Sequence, residues 1–61
     1  MGVGDFVYIL DLGEFGRVDS IFLNDQPIVE SINPQAGLVV ELLSKKWAAC
    51  FLDQAQYASR C

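Results

Sequence analysis

Sixty-one residues carry eight acidic side chains against four basic ones, no histidine and two cysteines. A chain of this length has room for one small domain, 1–61, and its 52% hydrophobic content excludes the low-hydrophobicity, high-charge composition of a disordered segment. A net charge of −4, with only Arg17, Lys45, Lys46 and Arg60 as cations, weighs against a phosphate backbone as partner, because such binding draws its affinity from counterions released by Lys and Arg.

The chain reads as short apolar runs separated by turn residues. Phe6-Val7-Tyr8-Ile9-Leu10 is β-branched and aromatic and follows Gly4-Asp5, which predicts a strand. Asp11 to Gly16 reads as a loop with two glycines. Arg17 to Leu23 predicts a second strand, with Val18, Ser20 and Phe22 on one face and Asp19, Ile21 and Leu23 on the other. Asn24-Asp25-Gln26-Pro27 reads as a break. Ile28–Ile32 follows as a third strand, closed by the turn signature Asn33-Pro34-Gln35-Ala36-Gly37. Leu38–Leu43 is the fourth run, Ser44-Lys45-Lys46 a solvated turn, and Trp47–Leu52 the fifth run. Asp53–Ala58 lacks β-branched residues, and Asp53 with Gln56 has the spacing of a capping box, so one or two helical turns, α or 3₁₀, are expected there.

Five short strands without long helices between them exclude a parallel βαβ sheet. The expected architecture is all-β: a five-stranded antiparallel small barrel with a short C-terminal helical turn, closure being the economical way to remove exposed edges. Gly4-Asp5-Phe6-Val7-Tyr8, Gly16-Arg17-Val18 and the Phe51-Leu52 exit resemble the SH3-like small barrels, the group that includes KOW and Tudor modules. The Ala-Leu-Tyr-Asp-Tyr run of true SH3 domains is absent, so their proline-motif pocket is not implied. Gly2 to Val7 with Gly16-Arg17-Val18 also resembles the start of the type II dihydrofolate reductases, which are short barrels that assemble as tetramers around a pore. Where those carry Val-Gln-Ile-Tyr, this chain reads Leu38-Val39-Val40-Glu41-Leu42, lacking the Gln and Tyr and placing an acid towards an anionic substrate.

Catalytic chemistry is sparse. Without histidine the usual general base, triad relay and commonest metal ligand are missing together. Cys50 and Cys61 have no zinc spacing, and the glycine pairs at Gly2/Gly4 and Gly13/Gly16 lack the Lys-Ser/Thr of a phosphate cradle. Asp11 and Glu14 in the first loop, with Asp19 following on the second strand, read as solvated, contact with a basic partner being the alternative. No catalytic residue, metal or cofactor is expected. Cys50 reads as a small hydrophobe, with a Cys50–Cys61 bridge the only intrachain alternative and an intermolecular bond through Cys61 an artefact of handling.

What the runs do suggest is association. The first, fourth and fifth are apolar on both faces, whereas one small barrel has one interior. A homo-oligomer, dimer or tetramer, resolves that conflict. The candidate protein-contact residues are Tyr8, Glu14, Phe15, Trp47 and Tyr57, with Phe15 expected at a loop tip and Trp47 in the core or a subunit interface, a ligand contact being its alternative role. The resulting expectation is a non-enzymatic interaction or regulatory module acting as a homo-oligomer, with a basic protein as a further partner. The alternatives are a small enzyme with its site between subunits, as the reductase resemblance implies, and a nucleic-acid-binding barrel using Arg17, Lys45 and Lys46. No secretory leader or membrane span is read, which predicts a cytoplasmic protein.

Overall fold

The computed structural model describes residues 1–59, so the expectations placed on Arg60 and Cys61 lie outside the described residues. Six strands form one antiparallel sheet: β1 (Phe6–Ile9), β2 (Glu14–Leu23), β3 (Gln26–Ile28), β4 (Gly37–Leu42), β5 (Trp47–Phe51) and β6 (Ala55–Ser59). Their order is β5-β4-β2-β1-β6, with β3 paired to the far half of β2. The all-β, antiparallel expectation holds, but the strand count rises to six. The path also ends at β5 on one side and β6 on the other without a ladder between them, so the sheet is open where closure was expected.

The ten-residue β2 organises the sheet. Its first half pairs β1, from Phe6↔Arg17 to Ile9↔Glu14, and its length pairs β4. The register against β4 slips between Val18 and Ser20, leaving Asp19 without a partner. Such a bulge inserts one residue and resets the alternation of faces. Val18 and Ile21 are therefore both buried, and Ser20 and Phe22 turn outward. Strict alternation, the expectation from the sequence, put Val18 and Ile21 on opposite faces.

Turn chemistry accounts for the other boundaries. Asn24 and Asp25 both take positive φ (52° and 63°), the requirement of a two-residue hairpin turn that follows the strand twist. This hairpin begins β3 at Gln26, before Pro27, instead of ending the strand there. Pro27 lies opposite Phe22, one pair beyond the Leu23↔Gln26 closing pair. Its missing N–H thus faces the open edge, where no ladder needs it. Past Ile28 the expected strand gives way to a loop with a single bridge, Gly2↔Glu30. Lys45 (φ 73°) holds the left-handed position of the four-residue β4–β5 connection, with its N–H donated to the Leu42 carbonyl at 2.9 Å.

The tail departs from expectation in the same local way. A 3₁₀ turn covers only Leu52–Gln54, and Ala55–Ser59 extends as β6 along β1. The ladder explains this: the Leu52 N–H donates to Ala36 O at 2.8 Å and the Leu10 N–H to Gln54 O at 3.0 Å, so the chain is steered back to the first strand. Pairing with an existing strand satisfies more backbone groups than an isolated helical turn.

The interior is wholly aliphatic: Val7, Ile9, Val18, Ile21, Ala36, Leu38, Val40 and Leu42. Gly16 lies beneath it in β2, and a Cβ there would strike Val40 Cγ1 and come within 2.8 Å of Glu41 O. At Gly37 the same atom would meet only Phe22 O, 3.9 Å away. Gly16→Ala should accordingly lower stability by about 1–3 kcal/mol, the usual penalty of overpacking, while Gly37→Ala should be near neutral. Urea midpoints compare the two; equal midpoints would contradict this packing.

Candidate protein-contact face

Cross-strand partners in a sheet point to the same side, so register and burial assign every strand residue to a face. Phe6 and Tyr8 of β1 lie opposite Arg17 and Phe15 of β2; Arg17 lies opposite Glu41, and Glu41 opposite Trp47. Beyond the bulge, Phe22 lies opposite Gly37, and Gly37 opposite Phe51. The outer face therefore carries Phe6, Tyr8, Phe15, Phe22, Trp47 and Phe51, which is six of the seven aromatic residues in the chain. None of them belongs to the buried core. Phe6 and Tyr8 are half-buried, Phe15 is 50% exposed, Trp47 58% and Phe51 61%.

The five candidate residues do not form one cluster. Tyr8 and Phe15 meet edge to face, ring centroids 4.9 Å apart and planes at 60°, an arrangement their ring quadrupoles favour. Phe15 thus stands within β2 against a cross-strand neighbour; the expected loop tip is corrected because β2 starts at Glu14. Glu14 pairs with buried Ile9, on the opposite face from these rings, and accepts a hydrogen bond from Ser44 Oγ at 3.1 Å, tying the first hairpin to the β4–β5 turn. Trp47 shares the outer face, on β5 at the sheet edge. It lies outside the core, so of its expected roles the subunit interface and the ligand contact stay open. Tyr57 stands apart. It pairs with Val7, on the opposite face, and lines a cleft of about 550 Å³ with Met1, Val3, Asp5, Val29 and Glu30.

Three residues absent from the sequence-based set matter as much. Phe22, Phe51 and Val39 line a shallow groove of about 490 Å³ with Ala49, Asp11 and Gln54. Phe22 was unreadable as an outer residue because only the Asp19 bulge puts it there. Phe51 and Val39 follow simple alternation and were legible. Charged side chains on this face are few: Arg17, whose Nε donates to Gly4 O at 3.3 Å, Glu41, and Asp19 at the bulge, which accepts from Ser20 Oγ at 2.7 Å. Arg17 and Glu41 are cross-strand partners on the central strands, between Phe6 and Trp47, and the other acids sit on loops and strand ends.

Cys50 lies half-buried on the inner side of β5, packed against the core. Burial, then the nearby Asp11 and Asp53 carboxylates, push its thiol pKa upward, which disfavours the reactive thiolate. Among the described residues no group of three His, Cys, Asp or Glu is placed to hold a metal ion, and no helix is long and apolar enough to cross a membrane.

Comparison with family models, curated proteins and solved structures finds no match for this chain.

The Cys50 environment gives a measurable consequence. In a Cys61→Ser background, alkylation by iodoacetamide should titrate at higher pH in the folded protein than in urea. Asp11→Asn should recover part of that difference but not all, since burial is the larger cause. Because the native state holds the proton longer, this thiol's contribution to stability is present below its unfolded pKa and declines as pH rises towards the folded one. Coincident folded and unfolded titrations would contradict the assignment.

Proposed function

We propose that this chain is a non-enzymatic protein-interaction module that works as a homo-oligomer, a dimer or tetramer. The observation that carries the reading is the segregation of side chains: an interior of aliphatic residues only, and six aromatic rings on the outside of the same sheet. Aromatic residues are the largest apolar groups available to a core, and they dominate the energy of protein interfaces. A sheet facing only water gains nothing from them on its outer side. A second copy brings the same aromatic face and so matches it, and a basic protein partner suits the net charge of −4.

The SH3-like small-barrel assignment belongs to this reading as well. It is supported by the last strand pairing the first and by the 3₁₀ turn that precedes it. A cytoplasmic setting is supported by Cys50, whose thiol packs as a small hydrophobe against the aliphatic core.

Light scattering on a reduced sample should return a mass of two or four chains. Trp47 is the only tryptophan and is exposed in the single chain, so its fluorescence reports the same event. Its emission should shift to shorter wavelength as concentration rises through the association range. Phe22→Ser with Phe51→Ser should weaken association while leaving the far-ultraviolet circular dichroism of the sheet unchanged. A monomer at every concentration, with invariant red-shifted emission, would overturn the proposal.

A further inference from the structure

The sheet has three outer edges, and they differ. β3 is three residues long and carries Pro27. β6 meets β1 through an irregular register between Phe6 and Val7. Short length, proline and irregularity are the devices by which sheets blunt an edge against further pairing. β5 has none of them. Trp47-Ala48-Ala49-Cys50-Phe51 contains no charge and no proline and runs in unbroken register along β4, from Glu41↔Trp47 to Gly37↔Phe51.

The ladder also shows which backbone groups this edge leaves open. Leu42 N–H donates to Lys46 O at 2.8 Å, and Leu52 N–H donates to Ala36 O at 2.8 Å. Between those two pairs, Val40↔Ala48 and Leu38↔Cys50 continue the same alternate series, so Ala48 and Cys50 face β4 with their backbone groups. Trp47, Ala49 and Phe51 therefore present their N–H and C=O groups to the open side.

Building on the self-association reading, we propose that β5 pairs antiparallel with β5 of a second copy about a twofold axis at Ala49, continuing one sheet across both chains. Charge selects this partner and this direction. Lys45 and Lys46 precede the strand and Asp53 follows it. With Ala49 opposite Ala49 of the second copy, Trp47 lies opposite Phe51, and Lys45 lies towards Asp53 of the other chain at both ends. A parallel arrangement would set Lys45 and Lys46 against the same lysines. The uncharged strand lets two copies of a net-acidic protein meet without placing carboxylates opposite each other. Small Ala49 at the axis leaves space for the aromatic pairs on either side, and the two outer faces become one continuous apolar surface.

Ala49→Pro tests the contact. It removes an N–H that β4 does not use, so circular dichroism should be retained while the particle mass falls to half. Should that variant not fold, Ala49→Cys in a Cys50→Ser/Cys61→Ser background gives an independent measurement. Residues opposite each other at the axis have Cα atoms about 5.5 Å apart, within the range a disulfide spans. Mild oxidation should then give a linked dimer on a non-reducing gel, whereas Val29→Cys in the same background should stay unlinked. A folded Ala49→Pro variant of parental mass, or no Ala49→Cys cross-link in a protein that still scatters as an oligomer, would overturn the β5 contact and leave self-association standing. A parent that is monomeric throughout would remove both.

Discussion

The single unpaired residue in β2 governs which side chains this sheet hides. Asp19 interrupts the ladder with β4, and the alternation of faces restarts one residue later. Upstream, Gly16 and Val18 point inward; downstream it is Ile21, and Phe22 moves out. With the bulge, β2 supplies Val18 and Ile21 to the core and keeps its two phenylalanines outside. Without it, the second half of the strand would drive Phe22 into an interior built to aliphatic dimensions and expose Ile21 in exchange. Bulges also strengthen local twist, and β2 is the strand against which β1, β3 and β4 all pair.

The interior tolerates little else. Its eight members are small or branched aliphatic residues, and Gly16 lets Val40 and the β4 backbone approach β2 more closely than any side chain would permit. Rings of the size of Phe6 or Tyr8 have no place in such a volume. Their outward position is thus a packing consequence within the single chain. The Tyr8–Phe15 pair shows how the outer face organises itself, since each ring covers part of the other within the single chain.

Much of this was legible from residue patterns. Alternation in Phe6–Ile9, Leu38–Leu42 and Trp47–Phe51 assigns the correct residues to each side, because those strands run without interruption. Where the reading failed, a local conformational choice decided. Asn24-Asp25 looks like a strand terminator but, with both residues at positive φ, it is a hairpin turn that starts the next strand at once. Asp53–Ala58 has helical composition, but β1 offers a vacant edge, and the backbone groups of Ala55–Ser59 are satisfied there. The Asp19 bulge has no marker in the residue types around it. Of the contact candidates, Tyr8, Phe15 and Trp47 share the outer face and Tyr57 does not, a separation that depends on the register of β6 against β1.

Placing six of the seven aromatic rings on one side of the sheet and an aliphatic core on the other divides two tasks between two sets of residues. The inner set carries folding, and the outer set is free to change identity without reopening the interior. Lineages of such a chain can vary Phe15, Phe22, Trp47 or Phe51 singly, with the scaffold persisting underneath.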